Sequence, residues 1–160
     1  MSELTLRPMT SSEFDTFRSR EIHEHAIAQV NAGYWTSNEA ETRSADQIDS
    51  LLSQGIKTPS MLVFIAENNE GVAIGDVWVA LQSGPDNGAW IYSIYVDSEQ
   101  RGNGYGRSLL RAVEQEITRR GIGVIGLNVF GSNMVARNLY ETAGYQINSM
   151  HLRKKLLPTD

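Results

Sequence analysis

Residues 101–106 read Arg-Gly-Asn-Gly-Tyr-Gly, four residues past the strand-like run AWIYSIYV (Ala89 to Val96) and directly before a helix-like run. Closely spaced glycines where a strand passes into a helix suit a phosphate. Bare backbone N–H groups and the positive end of the helix both face the anion there. Gly102, Gly104 and Gly106 supply the close approach. The spacing is G-x-G-x-G with Arg107-Ser108 following. It matches neither the G-x-G-x-x-G of dinucleotide folds nor the phosphate loop that closes with Gly-Lys-Ser/Thr. Taken alone, the stretch leaves a flexible glycine-rich turn as the alternative.

Periodicity and punctuation predict the elements that must position this loop. Glu3 to Arg7 alternates as a short first strand, and Thr10-x-x-Glu13 is a capping box opening a helix over Ser11–Ala32, stopped by Gly33. Thr36-x-x-Glu39 opens a second helix with the apolar stripe Ala45, Ile48, Leu51 and Leu52, its end marked by Gly55. From Met61 the pattern turns to strands: MLVFIA, the turn NNEG, the alternating IGDVWVAL, the turn at 84–88 and then AWIYSIYV form an antiparallel meander. The helix after the glycine loop carries Leu109, Leu110, Val113 and Ile117 on one face. A strand from Val124 to Phe130 and a helix over Asn133–Ala143 follow. In the last stretch Tyr145 and Ile147 alternate on one parity and Met150, Leu152 and Leu156 on the other. That shift predicts two strands separated by a bulge or short turn. A strand, helix, strand order demands a parallel crossover, so the expected class is α/β (α+β). Its sheet is mixed, with an antiparallel meander, two N-terminal helices, a glycine-loop helix and a C-terminal helix between later strands. No repeat or linker interrupts the chain, and 1–160 reads as a single domain.

Composition narrows the function. The chain has 160 residues, 41% of them hydrophobic, enough for a real core, and its net charge of −5 is too small for a disordered acidic chain. The absence of cysteine excludes disulfides, thiolate metal sites, iron–sulfur clusters and a cysteine nucleophile. No apolar run approaches the roughly 20 residues of a membrane span, and the first residues do not read as a leader. The expectation is a soluble, cytoplasmic protein with no membrane partner. Residues 1–100 hold five basic and 15 acidic residues, net −10, whereas 101–160 hold nine and four, net +5. The second half favours an anionic ligand. Its basic residues are scattered without aromatic platforms, so a small phosphorylated cofactor fits better than nucleic acid.

Two spaced motifs sharpen this. The run V-D-S-E-Q-R-G-N-G-Y-G (Val96 to Gly106), followed by N-M-V-A-R-N-L-Y-E-T-A-G-Y (Asn133 to Tyr145), resembles the GNAT superfamily of acyl-CoA-dependent N-acetyltransferases. That family's glycine motif is written Q/R-x-x-G-x-G/A, filled here by Arg101, Gly104 and Gly106; Ser98 stands where many members have proline. Residues 89–145 carry the specific part of the resemblance. It implies acetyl-CoA as co-substrate, its pyrophosphate held by backbone amides around Arg101, Gly102, Asn103, Gly104, Tyr105, Gly106 and Arg107. Its pantetheine arm would bond along Ile94, Tyr95 and Val96 like an added strand, with Asn133 in contact as well. Tyr140 occupies the family's tyrosine position, from which a hydroxyl can protonate the leaving thiolate. The residue readings beside these are a half-buried packing aromatic for Tyr140 and a helix N-cap for Asn133.

The implied reaction is direct attack of a primary amine on acetyl-CoA, and it needs a base. A protonated amine, with pKa about 10.4 for a lysine, must lose its proton before attacking. Family members often carry an acid on the strand before the loop; here that strand reads Tyr92-Ser93-Ile94-Tyr95, with no carboxylate. Continuing the helical stripe of Phe14 and Phe17 brings Glu21, His25 and Ala28 onto one face. The alternative buries Ile22, Ala26 and Val30 instead. Asp76, mid-strand on the parity of Trp78 and Ala80, is a third base candidate. His23 and His151 lack partners at metal-ligand spacing, so no metal is expected. If no base exists, the alternative is a non-catalytic acyl-CoA-binding sensor or regulatory module. The acceptor is a small-molecule or peptide amine, and the acidic half, walling its side, favours a cationic one. A homodimer is left open.

Overall fold

The computed structural model describes residues 3–157. Its elements run β1 (Thr5–Pro8), α1 (Ser11–Asn31), α2 (Ser37–Leu51), β2 (Met61–Glu67), β3 (Ala73–Ser83), β4 (Gly88–Val96), α3 (Tyr105–Arg119), β5 (Ile125–Leu127) and α4 (Met134–Thr142). The capping box at α1 forms as the sequence predicts. Thr10 Oγ1 accepts from the Glu13 amide at 3.2 Å, and Glu13 Oε1 accepts from the Thr10 amide at 2.9 Å. Glu13 also holds Arg7, at 2.8 Å, which bridges on to Glu67 at 2.9 Å and so ties the helix start to β1 and β2. Arg7 and the Thr10 cap together hold the Glu13 carboxyl down at about 2.

One five-stranded sheet, in the order β1-β2-β3-β4-β5, is antiparallel up to β4 and parallel between β4 and β5. α3 covers one face, burying Leu109, Leu110, Val113 and Ile117 against Val77, Val79 and Ile91. Fully burying each such side chain stabilises by roughly 1.5–3 kcal/mol. α1 and α2 cover the other face, with Phe17, Ile22 and Ile48 packed on Val63, Ile65 and Trp78. Ser44, fully buried where the two helices meet, donates its hydroxyl to the Ile22 carbonyl at 2.7 Å.

Two features of β4 matter for the site. Trp78 pairs with Ser93 but Val79 with Ile91, so Tyr92 is an extra residue, a β-bulge. Its ring therefore stacks on Trp78, 4.6 Å between centroids, on the α1 face. β5 then follows β4 for only three pairs, Ala89 with Ile125 to Ile91 with Leu127. From Tyr92 to Val96 the outer edge of β4 has no described strand beside it.

The sequence reading needs correction at the end of the chain. No described strand follows α4, so this helix does not lie between later strands, and the two strands expected after Gly144 do not form. Alternating apolar residues make a strand only when an edge is there to pair with, and this segment runs past the end of α1. Arg153 Nη1 donates there to the Ala32 carbonyl at 2.7 Å, and its guanidinium lies over the Tyr34 ring. β5 is also shorter than the expected Val124–Phe130, because its partner diverges.

Candidate active site

Gly102 and Gly104 adopt φ of +84° and +76°, a left-handed conformation that favours glycine. Gly104 is the N-cap of α3 and offers no side-chain cap, so the first amides of the helix have no partner within it. A Cβ added at either glycine would meet nothing within 4 Å. The cradle is open to a ligand, and its shape and polarity fit a pyrophosphate. Arg101 Nε donates to the Val96 carbonyl at 3.0 Å, closing the loop back on the strand end. Arg107 donates to Thr142 Oγ1 on α4 at 2.9 Å, which draws its guanidinium to that helix. Asn133 caps α4, its Oδ1 accepting from the Ala136 amide at 3.1 Å.

Tyr140 lies on the inner side of α4, half-buried against the main core and edge-on to Tyr145 at 5.5 Å. Burial alone raises its phenol above the ordinary value. Tyr145 is pinned in turn by its hydroxyl donating to Glu114 Oε2 at 2.8 Å.

Across β4, on the α1 face, charged groups converge. Arg20 makes a two-pronged bridge to Asp76, 2.7 and 2.6 Å, with the side chains 18% and 7% exposed. Its guanidinium stacks on Tyr95, 3.8 Å from the ring centroid, and lies 5.5 Å from that of Phe17. Glu21 is the next residue, 13% exposed, with Oε1 3.6 Å from Arg20 Nη2 and buried without a hydrogen-bond partner. Burial pushes the Glu21 carboxyl above the ordinary range, while the nearby Ser93 hydroxyl and the charge of Arg20 pull it back. Burial likewise raises Asp76 against the opposing pull of Arg20, and raises Asp97, just past β4.

Glu21 and Asp76 are thus brought to one wall. His25 is not: its Nε2 meets Gln47 Oε1 at 2.8 Å and its ring stands edge-on to Trp35. His23 pairs with Glu41 at 2.9 Å, exposed. Arg20 and Ser93 were missed by the sequence reading. The signal for Arg20 was indirect: a carboxylate mid-strand at Asp76 calls for a buried cation, and Arg20 is three residues from the core position Phe17.

An acetyltransferase (GNAT) family model matches residues 24–145, most of the chain. The chain belongs to the GNAT acetyltransferase family. It is 32% identical over 154 residues to the uncharacterized N-acetyltransferase YycN of Bacillus subtilis (strain 168), covering 96% of this chain and 99% of YycN. A crystal structure of YycN superposes with a TM-score of 0.91 at 31% identity, over 97% of this chain and 99% of that one. AAC(6')-Iy, solved with the bisubstrate analog CoA-S-monomethyl-acetylneamine, shares the fold at a TM-score of 0.59 and 18% identity, over 98% and 100% of the two chains. As a GNAT acetyltransferase the chain falls among enzymes that use acetyl-CoA as co-substrate and amines as acceptors. No described helix is long and apolar enough to cross a membrane.

Proposed function

We propose that this acetyltransferase moves an acetyl group from acetyl-CoA to a primary amine by direct attack, with Glu21 as general base and Tyr140 as general acid. The observation that carries the reading is the Oε1 of Glu21, buried without a hydrogen bond 3.6 Å from Arg20 Nη2, on the wall of β4 where no described strand pairs with it. A buried acceptor with no donor is costly and is relieved when a substrate supplies one.

The roles follow from the chemistry. Acetyl-CoA supplies the thioester, its pyrophosphate on the amides of 102–107 and its arm along the open edge at 94–96. The amine loses its proton to Glu21, whose raised pKa brings it closer to neutral and makes it a stronger base than an exposed carboxylate. The amine nitrogen bonds to the carbonyl carbon, the C–S bond breaks, the thiolate takes the Tyr140 proton, and the nitrogen's second proton passes through water to the phenolate. A phenol kept protonated by burial is suited to that donation. Arg20 and Asp76 act as positioning residues: their bridge pins α1 to β3, and Glu21 is carried with it. Three acids, Glu21, Asp76 and Asp97, stand near Arg20 on this wall, which favours a cationic acceptor.

The reading as a sensor rested on the missing carboxylate of β4. α1 brings one to Ser93 of that strand, so the enzyme is preferred. Free-thiol release from acetyl-CoA across a panel of polyamines, amino sugars and peptides tests the choice. Amine-dependent release is expected. Calorimetric binding of acetyl-CoA with no release for any amine would instead favour the sensor.

A further inference from the structure

Tyr95 stands where the glycine loop and the charged wall meet. It pairs with Asp76 across β3 and β4, so its ring and the Asp76 carboxylate leave neighbouring strands side by side. The Arg20 guanidinium engages both. It is bonded to the two oxygens of Asp76, at 2.7 and 2.6 Å, and lies over the Tyr95 ring, 3.8 Å from its centre, which is van der Waals contact. The Phe17 ring, at 5.5 Å, touches it less closely.

The guanidinium has one further neighbour, an acid it does not bond. Glu21 Oε1 lies 3.6 Å from Arg20 Nη2, about 0.7 Å beyond an ordinary hydrogen bond, and is buried without one. Two carboxylates therefore compete for one cation. Nη2 carries two N–H groups and Asp76 takes one, so a small tilt of the guanidinium would close the gap to Glu21 without releasing Asp76. What sets the tilt is the surface against its flat face, and that surface is Tyr95. The ring is itself held near the loop: Arg101, whose Nε donates to the Val96 carbonyl, sets a second guanidinium 5.2 Å from its centre.

We propose that Tyr95 is a positioning residue, its ring holding the Arg20 guanidinium on Asp76 and keeping it from closing on Glu21. The benefit to catalysis rests on the reading of Glu21 as the base. A carboxylate bonded to Arg20 is a weaker base, and its lone pair is already engaged when the amine arrives. Among the described residues, Arg20 beside it, Asp76 from β3 and the Ser93 hydroxyl from β4 act on Glu21. α2, packed along α1, turns its polar groups to other partners: Asp49 to Arg18, Glu41 to His23, Gln47 to His25 and Ser44 to the Ile22 carbonyl. Asp97, past β4, acts on Arg20.

NMR of the full chain, carrying 13C at the glutamate side-chain carboxyls, titrates Glu21 directly, its signal assigned by its loss in Glu21→Gln. Tyr95→Leu should move the midpoint to lower pH, because the freed guanidinium pairs with the carboxylate. Tyr95→Phe, which keeps the ring, should leave the midpoint where the wild type has it. In the Arg20→Met/Asp76→Leu background Tyr95→Leu should move nothing, since Tyr95 acts through Arg20. An unmoved or raised midpoint in Tyr95→Leu overturns the proposal. So does a Tyr95→Phe midpoint displaced as far as that of Tyr95→Leu, or a shift that persists without Arg20. Should Tyr95→Leu not fold, Tyr95→Ile, whose branched side chain suits a strand, carries the same test. Kinetics separate this inference from the one it rests on. In Tyr95→Leu the acid limb of kcat/KM should follow the NMR midpoint, with kcat/KM at neutral pH down about tenfold, a fraction of the effect of losing the base outright. A midpoint that moves while the limb stays in place leaves Tyr95 as the positioner of Arg20 and removes Glu21 as the base.

Discussion

The two walls of the opened β4 edge are built on different principles. The glycine side is main chain from one contiguous stretch, 92–107, and among the described residues it works by what is missing: a strand partner beyond Ile91, a Cβ at Gly102 and Gly104, a capping side chain at α3. The α1 side is assembled from side chains at positions 20, 21, 76 and 93, and it works by pairing. Asp76 is neutralised by Arg20, and Glu21 is left one donor short. A backbone cradle tolerates varied side chains around it. A buried charge cluster does not, because each member sets the cost of the others.

If that contrast is right, the charged wall breaks hardest. Glu21→Gln should lower kcat/KM by about 10²–10⁴, the span of general base catalysis, without weakening acetyl-CoA binding. It should also raise stability. A carboxyl whose folded pKa lies above the ordinary 4.5 contributes stability in full below 4.5 and loses it as pH rises through the folded value. The variant, having no charge to bury, gains over the wild type at pH 7 and not at acid pH, as urea unfolding at several pH values would show. An equal loss of activity and stability would make Glu21 merely structural.

Breaking the clamp comes next. Arg20→Met should cost about 3–5 kcal/mol by leaving Asp76 a buried unpaired charge, Asp76→Leu less because Arg20 keeps Glu21 3.6 Å away, and the double replacement less than Arg20→Met alone. In Arg20→Met, Glu21 loses its neighbouring cation, so the acid limb of kcat/KM should move to higher pH. An unmoved limb would separate Glu21 from the proton transfer. Tyr140→Phe should then lower kcat by about 10² with little change in acetyl-CoA affinity. A wild-type kcat would remove the general acid.

The glycine wall should respond in affinity alone. Gly106 is not in a left-handed conformation, and its Cβ would meet only Leu139 at 3.6 Å. Gly106→Glu therefore fits, and its carboxylate interacts favourably with the start of α3. Repulsion of the pyrophosphate should still weaken acetyl-CoA roughly tenfold or more in calorimetry, a change of at least about 1.4 kcal/mol. Smallest of all, kcat/KM for a polyamine should fall a few-fold as salt is raised, by screening of the acidic wall. Preference for an acceptor bearing a carboxylate beside its amine would contradict that wall.

How legible these regions were in the sequence follows the same division. Thr10 and Glu13 announced α1, and Leu109, Leu110, Val113 and Ile117 announced α3, because caps and helical stripes act within one or two turns. The glycine loop was readable for the same reason. Glu21 could only be offered beside His25, since both continue the stripe of Phe14 and Phe17. One helical turn separates them, and the packing of α2 and β4 against α1 decides which is enclosed. The segment after α4 misled, because its alternation is local whereas a strand's partner is not.

By itself, then, the sequence determined the elements as far as α4, the mixed sheet with its parallel crossover, and the glycine loop that opens α3. These depend on backbone propensities and residue spacing over short stretches. Tertiary structure alone decided that β4 parts from β5 after Ile91, that Arg20 rather than water answers Asp76, and that the carboxylate beside Ser93 comes from α1. Burial and ion pairing depend on distances in space, and residues 20 and 76 become neighbours only when α1 has packed across the sheet.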